Sequence, residues 1–223
     1  MSTAKANARA PYHHGALRDA LLERAAEVIE ESGLEALTLR GLARDLGVSH
    51  GAPNRHFPTR EALIAALAEQ GFREALAATL DTMAAADDDP WIQLNAMGRG
   101  YLRWALTHRT LFRVITHPDV TRLADPGLSA RMRETQRMVR DAVLATQAAG
   151  RHPDVDPELL TLYTHAVPWG AAQLMNDPMF EPPRGERALD ELVAQVIELV
   201  VPIAGRGKQT EADTAKRHEG RRS

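Results

Sequence analysis

The chain has no cysteine, and that absence excludes disulfides, thiolate nucleophiles, iron–sulfur clusters and cysteine zinc sites together. Long hydrophobic runs are missing too. No stretch approaches the 18 or so apolar residues of a membrane span, and the N-terminus lacks the apolar core of a secretory signal. The expectation is a cytoplasmic protein with no membrane partner. Lysine is confined to Lys5, Lys208 and Lys216, so arginine carries almost all the positive charge. No alternating β pattern runs for more than a few residues. What is present is ordinary for a folded chain: 223 residues, 44% hydrophobic and 26% charged, enough for one large domain or two small ones.

The net charge of −3 hides a division. Residues 1–10 and 205–223 are basic, which leaves the body, 11–204, at −8. Inside that acidic body, the window 36–60 holds Arg40, Arg44, Arg55 and Arg60 against Asp45 alone. A local positive island is what phosphate contact requires; an overall basic chain is not.

Periodicity indicates helix almost throughout. From Ala16 to Ser32, Leu17, Leu21, Ala25, Val28 and Ile29 recur near a 3.6-residue period, and Gly33 stops the run. Thr38 can cap a second helix carrying Leu39, Leu42, Ala43 and Leu46. Ser49 can cap a third, short helix that Phe57-Pro58 closes. Thr59 caps a long run over 60–85, ended by Asp87-Asp88-Asp89-Pro90. Further helices are expected at about 91–107, 109–116, 127–149, 156–176 and 186–203. Residues 1–10 read as a disordered arm and 205–223 as a disordered basic tail.

The informative stretch is 38–57, TLRGLARDLGVSHGAPNRHF. Two short helices meet through Leu46-Gly47-Val48-Ser49, where Gly47 supplies the positive φ of a sharp turn and Val48 plugs the gap. Such a unit turns the start of its second helix outward. It offers N–H groups to phosphate, and His50, Gly51 and Asn54 to base edges. Pro53, near the helix start, should forfeit no more than the first intrahelical bond. Helix–turn–helix pairs also occur inside helical proteins that never touch DNA. The clustered arginines and polar outer face tip the balance toward DNA.

Residues 12–64, YHHGALRDALLERAAEVIEESGLEALTLRGLARDLGVSHGAPNRHFPTREALI, resemble the DNA-binding domain of TetR-family (tetracycline-repressor-like) transcriptional regulators. The pattern T-x-x-x-L-A-x-x-L-G-V-S, a short recognition helix and H-F-P-x-[KR]-E-A-L carry the resemblance. Tyr12-His13-His14-Gly15, the stretch 101–115 and Pro168-Trp169-Gly170 within 165–176 are similar to the branch with a Trp-His-Gly pattern in its C-terminal domain. The resemblance implies that Thr38 and Ser49 cap helices and touch phosphate, that His50 and Gly51 face bases, and that His56 and Arg60 contact phosphate. Arg60 stands where the family usually has Lys. Arg40 and Arg55 can reach backbone or base. Asn54 replaces the family's usual Tyr, exchanging a phosphate-reaching hydroxyl for an amide suited to adenine N6/N7.

Other features read more simply. Adjacent His13-His14 cannot converge on one ion without further ligands, so no metal is expected, and no cofactor. Asp87-Asp88-Asp89 before a helix suits capping. No Ser/His/Asp set, phosphate loop or H-E-x-x-H is present, so no catalysis is expected. Larger apolar residues (Trp91, Met97, Tyr101, Trp104, Phe112, Met132, Met138, Tyr163, Trp169) crowd the C-terminal helices. Most must be core, but helical bundles build small-molecule sites from such residues. The candidates for ligand contact are Met97, Tyr101, Trp104, Phe112, His165 and Trp169.

Together these readings give an all-α protein: an N-terminal three-helix DNA-binding domain with a helix–turn–helix over 11–60, and a C-terminal helical bundle, 61–204, for dimerisation and ligand binding. The function expected is a homodimeric regulator on a near-palindromic double-stranded operator, released by an unknown small apolar or amphipathic effector. A regulator without a small ligand, and a helical enzyme, are the alternatives. The dimer interface is expected from helices 156–176 and 186–203, through Leu189, Leu192, Val193, Val196, Ile197 and Val200, with Gly170, Ala171 and Ala172 allowing close approach.

Overall fold

The computed structural model describes residues 14–118, 120, 126–177, 179 and 185–200; the arm 1–10, the segment Tyr12-His13 and the tail 205–223 lie outside them. Among the described residues the elements are helices α1 (His14–Ser32), α2 (Leu39–Asp45), α3 (Arg60–Ala84), α4 (Pro90–Thr107), α5 (Arg109–Ile115), α6 (Pro126–Ala148), α7 (Pro157–Met175) and α8 (Glu186–Val200), with 3-10 turns at Leu34–Ala36 and Pro53–Arg55. The described residues include no strand. No described helix is long and apolar enough to cross a membrane.

Side-chain caps set the starts of four of the eight described helices. The Thr38 hydroxyl accepts from the Gly41 N–H at 3.0 Å and the Thr59 hydroxyl from the Ala62 N–H at 3.1 Å. Asp89 accepts from the N–H groups of Trp91 and Ile92, and Asp156 from those of Glu158 and Leu159. Each satisfies donors that a helix start leaves unpaired, and a proline follows each aspartate at no cost, since its missing N–H is one of those orphans. Asp89 thus confirms the capping role read for the acidic run.

One expected helix is absent. Residues 49–57 hold a turn and the three-residue 3-10 helix Pro53–Arg55. The reason is Pro53. It has no N–H to give the Ser49 carbonyl, and that carbonyl instead takes the Ala52 N–H at 2.9 Å in a tighter turn. Gly51 further weakens helix formation. Ser49 therefore caps nothing, and proline costs this element more than the single bond expected.

The head and body share one apolar core. Leu21, Ile29, Leu37, Leu42, Phe57 and Leu63 are buried between α1, α2 and the start of α3, and the cluster continues through Leu67, Leu102, Phe112 and Val114. Helix α3 thus runs from the head into the body. There α4 lies against it so closely that a Cβ on Gly100 would sit 2.8 Å from the Ala78 oxygen and the Thr79 Cα. Only glycine allows that approach. A second cluster, Leu94, Met97, Val143 and Leu160, joins α4, α6 and α7.

Part of the interface stripe expected on α8 is used inside the protomer. Val193 and Ile197 are buried in the protomer's own core, and Leu189 and Val196 pack against it. Leu192 stays half-buried outside that cluster, and the Val200 side chain lies outside the described residues. Exposed apolar side chains gather on α7, at Leu159, Leu162, Tyr163, Trp169 and Leu174, with Leu80 on α3, Leu144 on α6 and Met179 exposed besides. Ala172 is fully buried, while a Cβ on Gly170 would meet nothing within 4 Å.

Candidate nucleic-acid interface

The turn between α2 and the recognition segment is built as the sequence requires. Gly47 has φ 65°, a left-handed conformation that costs other residues about 1–2 kcal/mol, and the Val48 N–H closes it onto the Ala43 carbonyl at 2.9 Å. Two contacts from α1 fix the unit from behind. Arg24 Nε donates to Asp45 at 3.2 Å while its Nη1 donates to Glu27 and Glu31. Hydrogen bonds to those carboxylates, Glu27 foremost, hold the guanidinium even more firmly charged than usual. The Arg18 guanidinium lies 5.3 Å from the centre of the buried Phe57 ring. Neither arginine stands out in the sequence. The only available signal is a lone Asp45 in an otherwise basic window.

The outer face carries Thr38, Arg40, Arg44, Ser49, His50, Gly51, Asn54 and Arg55, all exposed. Asp45, the one acid of the window, is held by Arg24 and Arg44. Among the described residues Arg40 and Arg55 make no ion pair. The recognition segment is too short to bring a helix dipole to bear, so its surface acts through side chains and arginine charge. His56 is half-buried at the foot of the unit, beside Phe57 in the chain.

Arg60 takes a different part from the one the resemblance implies. Its Nη2 donates to the Leu34 carbonyl at 2.7 Å and its Nε to the Leu37 carbonyl at 3.0 Å, with Glu35 a looser 3.7 Å away. The guanidinium clamps the first turn of α3 to the connection between α1 and α2, facing inward.

The six candidate ligand residues are not brought together. Tyr101 packs 6.3 Å from Trp104 and edge-on to Phe112 at 6.4 Å, and Trp104 stacks on His108 at 5.7 Å. Burial pushes the Tyr101 hydroxyl pKa well up, so it stays a neutral donor. Trp104 Nε1 and Asn176 Oδ1 are buried without a hydrogen-bond partner among the described residues. Met97 belongs to the second cluster. His165 Nδ1 lies 3.2 Å from the Thr161 carbonyl, and Trp169 is 48% exposed on the outside of α7. A cleft lies elsewhere in the body, between α4, α7 and α8. Its cavity volume is about 40 Å³, and none of the six lines it. Among the described residues no group of three or more His, Cys, Asp or Glu can hold a metal.

Comparison with known proteins bears on the family and the fold. The family model described as bacterial regulatory proteins, tetR family, matches residues 21–67. The model described as tetracyclin repressor-like, C-terminal domain, matches residues 94–214, more than half of the chain. The HTH-type transcriptional repressor Rv1474c of Mycobacterium tuberculosis is 28% identical over 177 residues, covering 70% of this chain and 95% of that protein. The HTH-type transcriptional repressor KstR2 of Mycolicibacterium smegmatis is 25% identical over 164 residues, 71% of this chain and 79% of the other. A solved protein of unknown function from Rhodococcus sp. RHA1 is 32% identical with a TM-score of 0.69, over 87% of this chain and 98% of that one.

Proposed function

This chain belongs to the tetR family of bacterial regulatory proteins, and we propose that it is a homodimeric, ligand-responsive repressor acting on cytoplasmic DNA. The observation that carries the reading is the exposed face of Arg40, Arg44, His50, Asn54 and Arg55, set on a rigid turn whose one acid is neutralised from behind. Arg40 and Arg55 supply phosphate contacts that place the head. His50 and Asn54, next to the small Gly51, read base edges in the major groove. Thr38 and Ser49 offer hydroxyls to the same backbone, with His56 at the margin. Arg60 sets the angle between head and α3 and is left out of the phosphate set.

The second copy is assigned to the exposed stripe of α7, which is too large and continuous to face water unaided. Gly170 lets a partner helix approach. Two heads then meet a near-palindromic operator with the symmetry of the dimer. Pro168-Trp169-Gly170 supports a place in the branch with a Trp-His-Gly pattern. The effector must bind one head spacing better than the other to release DNA, whatever its affinity.

The test is selection of bound fragments from random duplex, followed by fluorescence anisotropy on the selected sequence and a scrambled duplex across salt. A palindromic fragment bound roughly a thousandfold more tightly than the scramble is expected. Equal binding of both would overturn the reading.

A further inference from the structure

We propose that Arg44 reads a guanine in the major groove, and that Asp45 is the positioning residue that holds it there. The inference rests on the DNA-binding reading above and supplies one base of the operator. The window 36–60 contains four arginines, and three are accounted for. Arg40 and Arg55 make no ion pair among the described residues, which leaves their charge free for phosphate. Arg60 is turned inward on the carbonyls of Leu34 and Leu37. Arg44 is neither free nor buried. Its side chain is 78% exposed, yet Nε and Nη2 both donate to Asp45 Oδ1, at 3.4 and 3.3 Å.

That arrangement leaves one end of the guanidinium open. Nε and one hydrogen of Nη2 are directed at the carboxylate. The other Nη2 hydrogen and the pair on Nη1 have no partner among the described residues. They form the flat fork that matches guanine O6 and N7, two acceptors side by side on the groove edge. The carboxylate is fixed in turn. Its other oxygen, Oδ2, takes Arg24 Nε from α1 at 3.2 Å, and Arg24 Nη1 is anchored on Glu27 and Glu31. A side chain held in this way loses less freedom on binding than a free one. Arg44 also stands beside the base-reading segment: its carbonyl accepts the Gly47 N–H at 3.1 Å, in the turn that leads to Ser49 and His50.

Charge decides against phosphate at this position. The two arginines and three carboxylates of the cluster sum to −1, which draws no anion. A base edge is uncharged and offers its acceptors without that penalty. Stability does not explain the pairing either, because an exposed ion pair contributes little.

The experiment uses the full chain and the duplex it selects from random sequence. Fluorescence anisotropy compares that duplex with copies in which one guanine of a half-site at a time is 7-deazaguanine, which lacks the N7 acceptor. At one guanine the wild-type chain should lose about tenfold in affinity, the worth of one charge-assisted hydrogen bond. Arg44→Ala should melt as the wild type does, keep the salt slope, and show no loss at that guanine. Asp45→Asn frees the guanidinium and removes a negative charge, so it should weaken the guanine preference while binding scrambled DNA at least as tightly. A merely structural pair would lower both together. Three results overturn the proposal: no guanine sensitive to the replacement, every sensitivity retained in Arg44→Ala, or a flattened slope with equal losses on operator and scramble. Full preference in Asp45→Asn overturns the hold by the carboxylate. Selection of no operator at all overturns the repressor reading as well, whereas a specific operator that Arg44→Ala reads as the wild type does fails here alone.

Discussion

Truncating Arg60 separates a clamp from a phosphate contact. In the structure its guanidinium makes two charge-assisted hydrogen bonds, to the carbonyls of Leu34 and Leu37, and its side chain is 30% exposed. Hydrogen bonds to charged groups contribute about 1.5–3 kcal/mol each when buried. Partial exposure lets water recover some of that after truncation, so Arg60→Ala should cost about 2–3 kcal/mol in total. The 3.7 Å pair with the exposed Glu35 adds nothing measurable. For a chain of this size each kcal/mol lowers the melting temperature by about 2–4 °C, which predicts a fall of about 4–12 °C at fixed protein concentration. Arg60→Lys keeps the charge but not the fork that spans two carbonyls, and should recover less than half of the loss. The decisive measurement is the slope of log K against log salt on the operator. Each phosphate contact contributes about −0.9 to it. Arg40→Ala or Arg55→Ala should flatten the slope by about one per protomer, whereas Arg60→Ala should leave it unchanged. A flattened slope with an unchanged melting temperature in Arg60→Ala would refute the clamp and return this residue to the DNA.

Asn54→Ala should lower discrimination between operator and scrambled duplex by about 1–3 kcal/mol while barely changing affinity for the scramble; equal losses on both would make Asn54 a backbone anchor. Thr38→Ala removes the cap on Gly41 N–H and should cost about 1 kcal/mol in urea denaturation, with a larger fractional loss of DNA binding because α2 carries Arg40. An unchanged midpoint would show the cap to be dispensable. Leu162→Glu places a charge on the 65% exposed centre of the α7 stripe and should give a folded monomer in analytical ultracentrifugation; a dimer of unchanged affinity would move the interface off this helix.

The sequence by itself determined the eight α-helices and where half of them begin. Thr38, Thr59, Asp89 and Asp156 cap through bonds to N–H groups two or three residues ahead, and such local chemistry is readable without knowing the fold. Gly47 is legible for the same reason: a left-handed residue between two short helices is a local demand. Pro53 is equally visible, but its effect is larger than the loss of one bond suggests. A missing donor matters most where only a turn or two of helix exists to lose it. The recognition face is legible as a composition of exposed residues.

Tertiary structure alone decided which side of each helix meets what. The stripe Leu189–Ile197 has the same periodicity whether it faces a partner or its own core, and only the packing of Val193 and Ile197 inside the protomer shows the second. The exposed α7 face is hidden in the sequence among equally apolar residues. Arg24 reaches Asp45 across 21 positions and Arg60 reaches Leu34 across 26, pairings that no local pattern encodes. The cleft is likewise the space left between three helices whose residues, Trp91 to Ile197, are separated by most of the body. An apolar stripe along a helix dictates that one face be buried; what buries it is a property of the whole chain's packing, because apolar attraction has no direction of its own.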